Sequence, residues 1–162
     1  MQRNRNVILS PEEDKTMSAN SFVGAWKLIS FDATRENGKV LPVYGKNPIG
    51  RLYYDVAGNM SLHVMKSGRA NFDTRTKFRV PPSEMRAAYE SYEAYFSTYK
   101  VDEANHIITH TVIGSLFPDW TGTVQSRYYK FDGNRLILST GPIGCVPKEG
   151  TFMTLVWERL DP

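Results

Sequence analysis

The stretch Ile107–Leu138, IITHTVIGSLFPDWTGTVQSRYYKFDGNRLIL, decides the fold. It holds two runs that alternate with the two-residue period of a half-buried strand. Turn residues bound them: Asp102-Glu103-Ala104-Asn105 before, Phe117-Pro118-Asp119-Trp120 between, and Asp132-Gly133 within the second run. Pairing across each turn ties the faces of neighbouring strands together. Around Asp132-Gly133, Phe131 is expected opposite Asn134, Tyr129 opposite Leu136 and Arg127 opposite Leu138. The other face then carries Lys130 opposite Arg135, poor neighbours for a core. Around Glu103-Ala104, Tyr99 is expected opposite Ile108 and Ser97 opposite His110. A turn centred on Pro118-Asp119 sets His110 across from Arg127 and Val112 across from Gln125. One face therefore collects His110, Gln125 and Arg127 with Tyr99, Tyr129, Leu136 and Leu138. A histidine, an amide and a guanidinium are expensive to bury without partners. Inside a closed sheet they predict a wet or ligand-filled cavity.

Working outward, Phe22 to Phe31 reads as a first strand, with Trp26 and Leu28 on one face and Lys27 on the other. Ile49 to Asp55 and Asn59 to Lys66 form a hairpin around Asp55-Val56-Ala57-Gly58. Tyr54 opposes Met60, which gives an inward face of Leu52, Tyr54, Met60, Leu62 and Val64 and leaves His63 outside. Ser97 to Val101, His106 to Leu116, Gly122 to Phe131, Asn134 to Thr140 and Thr151 to Leu160 complete about eight short strands. Such a pattern predicts a mainly all-β, up-and-down antiparallel β-barrel rather than a layered α/β fold. One helix is expected, Ser83 to Phe96, opened by Pro81-Pro82 with Ser83 as N-cap and covering a barrel end. Its packing face would be Met85, Ala88, Tyr89, Tyr92 and Tyr95-Phe96.

The 162 residues fit one domain, over residues 21–160, behind a loose tail of residues 1–20. Met17 is a candidate start of the folded unit. A net charge of +3, without a basic stripe interleaved with aromatics, points away from nucleic acid. The basic stretch from Lys66 to Arg86 reads as a solvated loop. Cys145 is the single cysteine, so no intrachain disulfide or thiolate zinc cluster can form, and a reducing compartment fits. The three histidines have no metal-ligand spacing. No apolar run approaches the roughly 20 residues of a membrane-spanning helix, and the polar start lacks a secretory segment. A cytoplasmic protein with no membrane partner is expected. Tyr53 and Tyr128 on the outer face leave a homodimer open alongside ordinary surface placement.

Several pieces, in order, resemble a known family. They are Gly24-Ala25-Trp26, Leu52-Tyr53-Tyr54-Asp55 with Gly58-Asn59-Met60-Ser61, and Tyr95-Phe96-Ser97-Thr98-Tyr99. His110, Ser115, Pro118-Asp119-Trp120-Thr121-Gly122, Gln125-Ser126-Arg127 and Leu155-Val156-Trp157-Glu158-Arg159 follow. Together, over about residues 21–160, they look like the lipocalin-like domain family of bacteria and fungi, within the wider calycin group. The resemblance implies a short-looped β-barrel with a central cavity, and relatives that include cofactor-free isomerases, cyclases and dehydratases. It also implies that Trp26 packs under a basic side chain from a late strand, Arg159 or else Arg127, by cation–π contact. The missing cysteine pairs and the helical insert depart from secreted lipocalins and speak against an extracellular carrier.

For chemistry, His110 beside Arg127 is the sharpest constellation. Desolvation and the fixed positive charge both disfavour imidazolium, so His110 is expected neutral at pH 7 and able to accept a proton. Arg127 has no inward carboxylate in view and would attract an enolate, phenolate or carboxylate. His110 and Arg127 are the candidate catalytic pair, with Tyr54, Tyr99, Gln125, Tyr129 and Leu138 around the ligand. That set can perform enolisation, β-elimination or ring closure without a cofactor or metal. The leading expectation is a cofactor-independent isomerase or cyclase/dehydratase acting on an aromatic or polyketide-like carbonyl compound in secondary metabolism. The alternatives are a non-catalytic intracellular binder of a small hydrophobic acid and a barrel filled by its own side chains.

Other chemistries find no support. Paired carboxylates are missing from the inward faces as read, no Gly-x-Ser-x-Gly elbow occurs, and Gly141-Pro142-Ile143-Gly144 lacks the Lys-Ser/Thr of a phosphate loop. Cys145 has no nearby histidine in sequence. Ser67 to Pro82 is long enough for a lid, with Arg69, Arg75 and Arg79 placed to meet an acidic ligand.

Overall fold

A computed structural model describes residues 20–160. Apart from Asn20, the tail expected over residues 1–20, and Met17 with it, lies outside the described residues. Nine strands are described: β1 (Gly24–Arg35), β2 (Val40–Pro42), β3 (Ile49–Tyr54), β4 (Asn59–Met65), β5 (Tyr92–Asp102), β6 (Ile107–Ser115), β7 (Val124–Asp132), β8 (Arg135–Ser139) and β9 (Thr151–Arg159). One α-helix, α1 (Pro82–Glu90), lies in the β4–β5 connection.

β1 closes the barrel. Its first residues pair with β3, and Trp26 through Arg35 pair with β9, so β1 and β3–β9 form an eight-strand antiparallel barrel. The β1–β9 register shifts between Leu28 and Ser30, a bulge that bends a strand serving two neighbours. β2 adds a short pairing at Asp32–Thr34.

The inward faces are those read from the sequence, but three registers differ by two residues. Val101 opposes Ile108 and Tyr99 opposes His110 because the β5–β6 turn takes four residues, with Asp102 bonded to the Asn105 backbone and side chain. Tyr129 opposes Leu138 because the β7–β8 loop is Gly133-Asn134, with Gly133 at φ 58° as the first loop residue. His110 opposes Gln125, and Ile108 opposes Arg127, rather than His110 meeting Arg127. An even slip keeps every side chain on its face. The Tyr54–Met60 pairing is as expected.

The helix is shorter than expected. It ends at Glu90 and begins on Pro82, with Pro81 at the N-cap and no side-chain cap from Ser83. Residues 92–96 join β5 instead: their aromatics alternate, with Tyr95 buried and Phe96 exposed, and strands favour such residues. None of the helix side chains is buried, and of the stripe read as its packing face Met85 and Tyr89 are exposed and Ala88 is half-buried. The helix lies at the end of the barrel reached by the long connections.

The opposite end, where the short turns lie, is sealed. Phe22 is fully buried, edge-on to Tyr54, Tyr129 and Phe131. Trp26 Nε1 donates to the Phe22 carbonyl at 2.8 Å. Arg159 lies over the Trp26 ring, 4.1 Å from its centroid, and donates to the carbonyls of Val23 and Ser21. Arg159, not Arg127, is the basic cap.

Candidate functional site at the open end of the barrel

Above the sealed end, the interior turns polar. β6 alternates Ile108, His110 and Val112 inward, and His110 is fully buried. Both ring nitrogens are engaged: the Tyr54 hydroxyl lies 2.9 Å from Nε2 and the Tyr95 hydroxyl 2.9 Å from Nδ1. Burial first, and then the charge of Arg127, pushes the imidazole pKa down to about 3. His110 is therefore neutral at pH 7, with one N–H to give and one lone pair to fill. Burial pushes both phenols up, Tyr95 to about 12.

Arg127 on β7 is half-buried on the inward face. Nη1 donates to the Ser126 carbonyl at 2.8 Å, and no ion pair engages Arg127 among the described residues. Its charge acts on His110, Tyr95, Tyr54 and Glu93.

Glu93 is the residue that sequence reasoning missed. It falls within the helix expected over Ser83–Phe96, and it corrects the expectation that Arg127 has no inward carboxylate in view. On β5 it shares a face with Tyr95 and Ser97 and lies opposite the fully buried Val64. Burial raises its pKa, and Arg127 partly offsets that. The two-residue spacing Glu93, Tyr95, Ser97, Tyr99 was the signal that could have found it.

Glu93 also lines a cavity of about 270 Å³ at the open end, with Tyr44, Tyr89, Tyr92, Phe117 and Trp120 among its walls. Trp120 stands edge-on to Tyr95, ring centroids 5.9 Å apart. Aromatic walls thus lead to the carboxyl, and Tyr95 behind them to the imidazole. Among the described residues four buried side-chain atoms have no hydrogen-bond partner: Glu84 Oε2, Ser97 Oγ, Glu103 Oε1 and Trp157 Nε1.

The remaining candidates divide. Gln125 is half-buried opposite His110, its amide donating to Thr123 Oγ1 at 3.0 Å. Tyr99 donates to the Asp55 carbonyl at 2.9 Å and packs edge-on to Tyr54. Tyr129 and Leu138 face each other across β7 and β8 in the apolar core. The structure therefore brings Tyr54, His110, Gln125 and Arg127 together, while Tyr99, Tyr129 and Leu138 belong to packing. Arg69 is spoken for: it lies over Tyr92 and donates to Ser91 Oγ and the Ala88 carbonyl. His63 is outside, bonded to the Tyr92 hydroxyl at 2.8 Å, and Cys145 is exposed. Among the described residues no group of three or more His, Cys, Asp or Glu side chains could hold a metal, and no helix is long and apolar enough to cross a membrane.

The sequence model of one family, described as a lipocalin-like domain, matches residues 23–160. The crystal structure of a lipocalin-like protein from Bacteroides uniformis aligns with 86% of this chain and 99% of its own, at 10% identity and a TM-score of 0.46. No curated protein matches the chain.

Proposed function

Because the chain belongs to the lipocalin-like domain family, we propose that its barrel binds a small hydrophobic or aromatic molecule bearing an oxygen function, taken in at the open end. The observation that carries this reading is Arg127, an inward guanidinium with no ion pair among the described residues, whose charge reaches Glu93 in the wall of an aromatic-lined cavity. A partly desolvated cation of this kind favours an oxygen that bears or develops negative charge. The cavity is slightly below the roughly 300–1,000 Å³ of drug-sized sites, which suits a ligand of one or two rings.

A second reading adds chemistry, and Glu93 favours it. A carboxyl whose pKa is raised by burial is a stronger base than an ordinary carboxylate and is suited to take and return a proton. Beside Arg127, it would remove a proton next to a carbonyl while the guanidinium stabilises the enolate. That is the core step of a cofactor-independent isomerase or cyclase/dehydratase on an aromatic or polyketide-like carbonyl compound, in secondary metabolism inside the cell. His110 does not take the proton itself, since both its nitrogens are occupied and it is fully buried.

Titration of the protein with β-tetralone, an enolisable two-ring ketone, followed by tryptophan fluorescence, tests binding. Saturable quenching that weakens about tenfold or more in Arg127→Ala is expected; unchanged affinity in that variant would overturn the reading. Exchange of the ketone's α-hydrogens in heavy water tests the chemistry. Exchange above the buffer rate, lost in Glu93→Gln, supports it; exchange at the buffer rate by the wild type removes it.

A further inference from the structure

The bonds of His110 have a direction. A neutral imidazole donates from one nitrogen and accepts at the other. Of the two phenols it touches, one must therefore donate to the ring, and the other must accept from it. The accepting phenol keeps its own O–H, and that hydrogen needs an acceptor elsewhere. Neither hydroxyl has a second partner among the described residues, and both tyrosines are buried, with 3% and 4% exposure. An unsatisfied buried donor costs about 1–3 kcal/mol, so where this hydrogen points matters.

The surroundings of the two phenols choose between them. Tyr54 is packed edge-on to Phe22 and Tyr99 at the sealed end, and the Tyr99 hydroxyl is already committed to the Asp55 carbonyl. A free hydrogen on Tyr54 would meet aromatic rings. Tyr95 lies toward the open end, edge-on to Trp120, which walls the cavity, and two residues along its strand from Glu93. Ser97, two residues on from Tyr95 on the same inward face, holds a second buried hydroxyl without a partner, with 1% exposure. The Tyr95 hydroxyl and Ser97 Oγ thus place two groups with unmet hydrogen-bonding capacity side by side on the inward face of β5.

We infer that Tyr54 donates to Nε2 of His110, that Nδ1–H donates to the Tyr95 oxygen, and that Tyr95 presents its hydroxyl hydrogen to an uncharged carbonyl oxygen of the ligand. The inference rests on the binding reading above and narrows its ligand class from any small hydrophobic oxygen compound to a ketone or aldehyde. A carboxylate fits less well, because Glu93 already occupies the field of Arg127 and would repel a second anion. Each bond of the chain polarises the next, so Tyr95 becomes a stronger donor than an isolated phenol. Its donation also strengthens as the carbonyl oxygen gains charge. His110 acts in this arrangement as a positioning residue that fixes which way the chain points.

Two measurements test it. Nitrogen NMR of histidine-labelled protein reports the tautomer directly, and His110 is expected as Nδ1–H. Binding of β-tetralone is compared with binding of tetralin, which has the same ring shape and no oxygen. The ketone is expected about tenfold tighter or more, and Tyr95→Phe is expected to erase that preference while leaving tetralin affinity within about twofold. An Nε2–H tautomer, or equal wild-type affinities for ketone and hydrocarbon, would overturn the inference without touching the binding reading. The wild-type comparison holds even if Tyr95→Phe folds poorly. Failure of both probes to bind removes the binding reading, and this inference falls with it.

Discussion

Glu93 and Arg127 share the inward surface of the barrel close enough for the guanidinium to lower the carboxyl's pKa, yet no ion pair joins them. A closed pair would have neutralised both groups. Left apart, each keeps its capacity for a ligand, and each also limits the other's choice. Glu93→Gln removes the negative competitor without changing the shape. It is expected to tighten binding of 2-naphthoate several-fold, as read by tryptophan quenching, whereas Arg127→Ala weakens the same probe about tenfold or more. Opposite effects of the two variants on one anionic probe are the required outcome; parallel effects would mean the two groups act only through packing.

The depressed pKa of His110 makes stability depend on pH. In the unfolded chain the imidazole titrates at its ordinary value of 6.5, and in the folded chain at about 3. Between those values the unfolded state binds more protons, so stability is fully present above pH 6.5 and is lost as pH falls toward 3. The slope is at most about 1.4 kcal/mol for each pH unit crossed. Glu93 works the other way: its raised pKa contributes stability at low pH that is lost as pH rises above 4.5. Urea denaturation from pH 3.5 to 7.5 should therefore show stability rising with pH. His110→Gln flattens that rise, and Glu93→Gln steepens it above pH 4.5.

How much of this was legible in the sequence follows from which signals are local. Alternation fixed the inward faces of β6 and β7, and with them His110 and Arg127 as inward neighbours, because period two survives any even register error. The registers themselves depended on where each turn sits and how long it is: a loop at Gly133-Asn134 could not be told by composition from one at Asp132-Gly133, nor the four residues after Asp102 from a two-residue turn. The helix boundary failed for a related reason. Tyr92, Tyr95 and Phe96 fit a 3.6-residue stripe and a strand about equally well, and pairing with β4, which is nonlocal, decided for the strand. Glu93 was lost with that boundary. The two tyrosines that hold His110 come from β3 and β5, 56 and 15 residues away, and nothing local marks such partners.

One charged side chain ties the sealed end together. Arg159 covers Trp26 and binds the carbonyls of Val23 and Ser21, and so ties the last strand to the chain just before the first. Charge-assisted bonds to backbone and a cation–π contact are both lost in Arg159→Ala. A destabilisation of about 2–4 kcal/mol is expected by urea denaturation. Arg159→Lys should recover less than half, since an ammonium cannot lie flat on the ring while reaching two carbonyls.

Two glycines of the barrel wall make a last contrast. A Cβ on Gly50 would come within 2.9 Å of both the His63 carbonyl oxygen and Leu28 Cβ. Neither can swing aside, because one is backbone in the paired strand and the other is anchored at its own Cα. Gly50→Ala therefore forces β3 and β4 apart or shifts β1, and about 1–3 kcal/mol of lost stability is expected. A Cβ on Gly114 would come closer still, 2.6 Å from the Phe96 ring, but that ring is more than half exposed and free to rotate off the sheet. Gly114→Ala should thus lose less than Gly50→Ala despite the shorter contact. Thermal melts of the two variants give the order, and the reverse order would mean that the Phe96 ring is held in place by something stronger than its lie against Gly114.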